Sequence, residues 1–446
     1  MNKLFYFFSL GMVLMTLNLF SDTESEDKIF PYPIHKETLE NGLNVYVIPM
    51  ESNGLASYWT IVRTGSRDEV EKGKTGFAHF FEHMMFRGTK KYPQDVYDSI
   101  VVSLGADANA YTTDDYTAYH LNIAAEDIET VMDIESERFQ NLSYAEPEFK
   151  TEAGAVYGEY RKNITNPISV LFEKLQETAY KKHTYSHTTM GYIEDILNMP
   201  NMYDYSKEFY NRFYRPENCI LVIVGDVDPE KTFESVSNYF GSWEQGYQKP
   251  NIPSEPEQTQ ERRADVNYDG RTNPWMVLAY KGLPYDYKSK EVMADQLFAS
   301  LAFGSNSELY QKLYLEEQKV IAFGSSIPNN RDQGLNLIYA QLKDKTDFSY
   351  LEEEIGKTIE KYQTQAVEIE KLNDLKKRIK YSFLMSLNSP DEVASGLANF
   401  VAVTGGLEGL ETEFETMEKV TPEDIMEAAK RFVSEKRTIV RLTGVE

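Results

Sequence analysis

The chain is poor in the residues from which many functional sites are built. Among 446 residues there is one cysteine, Cys219, with six histidines and three tryptophans. A lone cysteine excludes an intrachain disulfide. Its place inside the apolar run Cys219-Ile220-Leu221-Val222-Ile223-Val224 marks it as a small buried hydrophobe. Basic residues are scarce too, 46 against 71 acidic, for a formal net charge of -25. Phosphate recognition needs clustered Lys and Arg, so nucleic acid is excluded as a partner. The acidic surface suits cationic peptides, or serves solubility alone. No serine occupies a nucleophile elbow, and Val403-Thr404-Gly405-Gly406 lacks the lysine and the length of a phosphate-binding loop.

Long apolar runs are also missing, with one exception. Leu4 to Phe20 is apolar, follows Lys3 and ends in the acidic stretch from Ser21 to Asp27. This describes a secretory signal peptide over residues 1–21. No clear A-x-A marks the cleavage point, so an uncleaved membrane anchor is the alternative. The segment is neither Arg-rich nor acid-poor, unlike a mitochondrial transit peptide, and no cysteine near its end supports a lipoprotein anchor. The expected location is the periplasm, with membrane anchoring as the second reading.

What remains is an ordinary globular composition, 41% hydrophobic and 13% aromatic, long enough for two or three domains. Two segments share an order of features. Trp59 to Gly65 and Trp275 to Gly282 each read as a strand ending in glycine, each followed by a helical stretch, the second from about Ser289 to Phe303. Each half closes on a similar strand, Ile220 to Val227 and Thr438 to Val445, at nearly one spacing, which predicts a duplicated α+β unit. Between them, the proline-rich stretch Gln248 to Gln258 reads as a linker. The expected division is 22–248, a linker at 249–264, and a pseudo-repeat at 265–446. Apolar residues at helical intervals predict long helices over Phe348 to Met385.

The densest chemistry is His79-Phe80-Phe81-Glu82-His83. Histidines four apart on a helix share one face, and Glu82 shares it with them. This H-x-x-E-H order is that of an inverzincin zinc site, with two imidazoles on the ion and a carboxylate beside the water it activates. A hydrolytic zinc usually takes a third protein ligand. The stretch from Glu146 to Tyr160 predicts a helix opened by Glu-Pro, with Glu152 and Glu159 two turns apart on one face. By themselves these two read as a solvated acidic face. His183 and His187 also have i, i+4 spacing, but their surroundings predict a surface or substrate-side loop.

The run Gly76 to Thr89 resembles the zinc segment of the pitrilysin (insulinase) family of metallopeptidases. Asn109-Ala110-Tyr111-Thr112 with Thr117 and Tyr119, then Arg215-Pro216-Glu217-Asn218 and Val224-Gly225-Asp226, extend the resemblance along the first half, and the second half follows more loosely. The resemblance implies two homologous domains, each a mainly antiparallel sheet covered by helices. It implies one Zn2+ per chain held by His79, His83 and Glu159, with Glu82 as general base and Glu152 orienting the site. It implies that Asn109, Ala110 and Tyr111 lie on a strand edge that pairs with a peptide substrate, although a plain core-strand end reads equally well there.

The pattern breaks in the second half. Active relatives supply an arginine and a tyrosine that grip the substrate and the oxyanion. The matching positions here are Glu308 and Phe323, of which one has the wrong charge and the other no hydroxyl. Tyr310 and Tyr314 lie nearby and leave a shifted register open. The resemblance therefore implies the zinc-bearing subunit of a heterodimer, whose homologous partner supplies the Arg/Tyr pair. A homodimer is the second choice. The expected function is zinc-dependent endopeptidase action on peptides or unfolded segments. A non-catalytic peptide-binding or scaffold subunit of the same fold is the rival.

Overall fold

The computed structural model describes residues 28–445; the apolar run from Leu4 to Phe20 lies outside them. Among the described residues no helix is long and apolar enough to cross a membrane. Eleven strands among these described residues form two sheets. The first contains β1 (His35–Thr38), β2 (Asn44–Pro49), β3 (Leu55–Val62), β4 (Asp107–Thr112), β5 (Thr117–Ala124) and β6 (Cys219–Gly225). Its order is β1-β2-β6-β3-β5-β4, with only β2 and β6 parallel. The second contains β7 (Arg262–Tyr268), β8 (Trp275–Lys281), β9 (Val320–Ser326), β10 (Leu335–Leu342) and β11 (Arg437–Gly444). Its order is β7-β11-β8-β10-β9, again with one parallel pair at the same place. The fold is α+β, two mainly antiparallel sheets of matching topology.

The repeat is one of strand order rather than residue register. When the closing glycines Gly225 and Gly444 are matched, strand pairing sets Trp59 opposite Val222 and Met276 opposite Arg441. Trp59 thus corresponds to Met276, one residue beyond Trp275. A one-residue slip reverses the face, and the two tryptophans pack in different clusters.

Helices cover both sheets, and two of them cross over. Helix Pro167–Ala179 belongs to the first half but packs on β7 and β11, burying Leu171, Leu175 and Ala179 against Val277, Val440 and Leu442. Helix Pro390–Thr404 belongs to the second half but packs on β3 and β6, where Leu397 and Val401 join Trp59, Ile61 and Val222. Both open on a proline after a capping side chain, Asn166 and Ser389. The exchange explains why β6 is apolar without alternation. Ile220, Val222 and Val224 face the crossing helix, whereas Cys219, Leu221 and Ile223 face the first half's own helices.

Phe348 to Met385 forms two helices, Phe348–Thr364 and Ile369–Met385. The predicted second-half helix runs Lys290–Phe303, with Ser289 accepting from the Val292 N–H. Residues 249–261 carry no helix or strand, yet they are tied down. The Glu255 carboxylate accepts from the Lys181, Lys182 and His183 N–H groups at 2.9–3.1 Å.

Candidate metal centre

The histidines project from helix Phe77–Met84. Phe77, Ala78, Phe80, Phe81 and Met84 bury the opposite face, so periodicity alone turns His79, Glu82 and His83 outward. Two devices set the start of this helix. Gly76 has φ +87°, and a Cβ there would lie 2.6 Å from the Met190 carbonyl oxygen. The buried Glu69 carboxylate accepts from the Gly76 and Ala78 N–H groups, each at 2.7 Å. The second element is helix Glu146–Asn163. Its Phe149, Ala153 and Val156 form the buried stripe, Phe149 meeting Phe80 edge-on at 5.0 Å, and this packing presents Glu152 and Glu159 to the histidines.

Three donor atoms converge. His79 Nε2 and His83 Nε2 are 3.3 Å apart, and Glu159 Oε2 lies 3.5 Å from the first and 3.2 Å from the second. Among the described residues this is the one trio of His, Cys, Asp and Glu whose ligand atoms gather within 4.8 Å. Two imidazole nitrogens facing each other beside a carboxylate leave lone pairs directed at a common point. That donor set suits a borderline cation such as zinc. Burial, helped by the neighbouring His83, pushes the His79 pKa down to about 4, which keeps its ring neutral and able to donate a lone pair.

The surrounding groups fix this arrangement. His83 Nδ1 lies 2.9 Å from Glu152 Oε1, so the proton belongs on Nδ1 and Nε2 is left free. The same hydrogen bond raises the His83 pKa above its ordinary value. Burial pushes Glu152 upward, but hydrogen bonds from His83 and Arg87 outweigh it and hold the carboxylate below its usual range. Glu82 Oε2 accepts from Thr112 Oγ1 at 2.7 Å. Burial raises the Glu82 pKa against that bond.

Asn109, Ala110 and Tyr111 lie on β4, which among the described residues pairs only with β5 and so forms an edge of the sheet. The Ala110 N–H donates to its neighbour's Asn109 Oδ1. The faces divide: Ala108, Ala110 and Thr112 point to the histidine side, whereas Tyr111 packs on Trp59 and Tyr116 on the other. Glu308 and Phe323 are not drawn to the trio. Exposed Glu308 pairs with Lys361 at 2.6 Å, and Phe323 packs edge-on against Phe303 from β9. Tyr310 and Tyr314 stack on each other.

His183 and His187 lie on no α-helix, as expected of a surface or substrate-side loop, but the surface placement is corrected: both are buried, at 4% and 3% exposure. They flank a single 3-10 turn, and His183 Nε2 meets Asp332 of the second half at 3.1 Å. Two contacts were not anticipated, Arg87 on Glu152 and Thr112 on Glu82. Both residues lie inside motifs already singled out, but nothing in those motifs names their partners.

Residues 46–192 match the insulinase (peptidase family M16) domain, and residues 202–379 match the domain described as peptidase M16 inactive domain. Zinc protease PqqE of Helicobacter pylori is 31% identical over 385 residues, 85% of each chain. The bovine mitochondrial-processing peptidase subunit beta is 33% identical over 209 residues, 46% of this chain and 41% of its own. Among solved structures, a protease from Helicobacter pylori superposes with a TM-score of 0.85 at 29% identity, covering 93% of this chain and all of the other. From the paired domains, the relatives and the shared architecture, this chain belongs to the insulinase (M16) peptidase family.

Proposed function

We propose that this chain is the zinc-bearing subunit of an endopeptidase acting on peptides and unfolded segments outside the cytoplasm. The observation that carries the reading is the convergence of His79 Nε2, His83 Nε2 and Glu159 Oε2 beside Glu82. Those three would hold one Zn2+. When bound, zinc lowers the pKa of a water from about 15.7 toward ~7 and polarises the scissile carbonyl. Glu82 takes the proton from the attacking water and later delivers it to the leaving amine. Its raised pKa suits a group that must carry that proton between steps. Thr112 holds the Glu82 carboxylate in place, and Glu152 keeps the His83 proton on Nδ1. A substrate strand adds to the free edge of β4, where Asn109 Oδ1 yields the Ala110 N–H to the peptide carbonyl. Side chains of an added strand alternate between faces, so every second one passes Tyr111 rather than the metal side.

A homologous partner supplies the arginine and tyrosine that Glu308 and Phe323 replace. The likeness to a protein described as a subunit of a processing peptidase supports this, and a homodimer is the second choice. An export segment at 1–21 fits the likeness in fold to the periplasmic protease PqqL of Escherichia coli, with a TM-score of 0.76. The deciding experiment is Glu82→Gln. Zinc content should stay at that of the parent chain while peptide hydrolysis falls by about 10²–10⁴-fold. Equal, measurable rates in the two proteins would remove Glu82 from the reaction, and no hydrolysis by either, with zinc bound and the partner present, would favour the peptide-binding scaffold. Adding the homologous partner chain should raise the parent rate; an unchanged rate would favour the homodimer.

A further inference from the structure

Arg87 closes the one-turn helix Met85–Arg87 that follows the histidine helix, four residues beyond His83. Its guanidinium is engaged on three sides. Nε donates to Glu152 Oε2 at 2.5 Å, Nη2 donates to the same oxygen, and Nη1 donates to Gln94 Oε1 at 3.0 Å. The other Glu152 oxygen, Oε1, faces His83 Nδ1 at 2.9 Å. Glu152 is therefore pinned from both sides, with its side chain only 5% exposed. Gln94 adds a third contact on the far side of the guanidinium.

We infer that Arg87 is a positioning residue of the metal centre, acting through Glu152 on the orientation of the His83 ring. The inference rests on the metal-binding reading given above. Without the arginine, no other hydrogen bond among the described residues holds Glu152 Oε2, and the carboxylate is free to turn Oε1 away from His83. The ring would then lose the acceptor that keeps its proton on Nδ1 and its Nε2 aimed at the common point. A lysine at this position offers charge but no planar fork, so it restores part of the effect.

The test is zinc affinity of the full chain, measured by competition with a chromogenic chelator, for the parent, Arg87→Met, Arg87→Lys, Glu152→Gln and Arg87→Met with Glu152→Gln. Arg87→Met should weaken zinc about 10–100-fold, with Arg87→Lys in between. The double variant should be no weaker than Glu152→Gln alone, because both changes cut one chain of contacts. The zinc-free thermal midpoints of the parent and Arg87→Lys should agree, separating positioning from loss of fold. Parent-like zinc affinity in Arg87→Met, or a double variant weakened by the product of the two single effects, would overturn the inference for Arg87. A parent chain that takes up no zinc would overturn the metal centre itself.

Discussion

A nitrogen binds zinc only while it carries no proton, and the two histidines meet that demand by different routes. His79 is kept neutral by burial, whereas His83 is held in one tautomer by Glu152. The general-base role proposed for Glu82 makes a different demand, because such a group must change protonation. Burial raises its pKa and Thr112 pulls it back down, so Thr112→Val should raise it further. The base is then lost at a higher pH than before. The acid limb of kcat/KM against pH should move upward, and the rate on that limb should fall about tenfold, as expected for a hydrogen bond to a charged group worth ~1.5 kcal/mol. An acid limb that stays in place would show that the Thr112 contact does not bear on the base. The convergence of the candidate trio was legible because two histidines four apart on a helix share one face, and resemblance supplied Glu159. Arg87 and Thr112 were not legible as partners. Their contacts span 65 and 30 residues, and an arginine or a threonine near a motif is common without any role.

Local rules carry the elements well. Glu146-Pro147 opens the helix that bears Glu152 and Glu159, Ser289 caps Lys290–Phe303, and the glycine before Phe77 lets the chain turn where a side chain would strike Met190. What local rules do not reveal is where a helix docks. Pro167–Ala179 shows an ordinary amphipathic pattern, and nothing in that pattern states that its apolar face belongs to the second sheet. The tryptophan landmarks failed at register for a related reason, since strand identity is set by pairing and not by one bulky residue. The exchange of helices makes a prediction. Leu171 is fully buried against second-sheet residues, so Leu171→Ala should cost about 2–5 kcal/mol in a urea melt. Hydrogen exchange should show β8 and β11 losing protection ahead of β3 and β5, with zinc retained. Equal loss in both sheets would mean that the crossing helix does not guard the second half selectively.

At the scale of the molecule, one cluster of the polar contacts that join the two halves gathers on one loop. Residues 327–334, between β9 and β10, enter the first half. Asp115 accepts from Asn330 Nδ2, the Arg331 N–H and Tyr185 Oη at 2.7–3.1 Å, and Arg331 Nη1 donates to the Arg63 carbonyl. Asp332 Oδ2 accepts from Arg67 Nε at 2.6 Å and meets His183 Nε2. Asp115 lies in the turn between β4 and β5, so the junction and the outer edge of β4 share one hairpin. Of the two histidines with i, i+4 spacing, His183 becomes a tie between halves, whereas His187 stays within the first half against the Thr188 carbonyl. Spacing could not distinguish the two, because the partner lies 149 residues away. Burial pushes the Asp332 pKa up, but His183 and Arg67 outweigh it and hold the carboxyl well below 3.8. A depressed carboxylate stabilises the fold above its unfolded pKa and loses that contribution as the pH falls toward the folded one. Asp332→Asn should therefore destabilise the chain at neutral pH by about 1.5–3 kcal/mol, the worth of hydrogen bonds to a charged group. The gap between parent and variant should hold steady from neutral pH down to about pH 4 and shrink only below it. Urea melts at a series of pH values measure this directly. A gap that persists unchanged well below pH 4 would show that the Asp332 carboxylate does not carry the stabilisation.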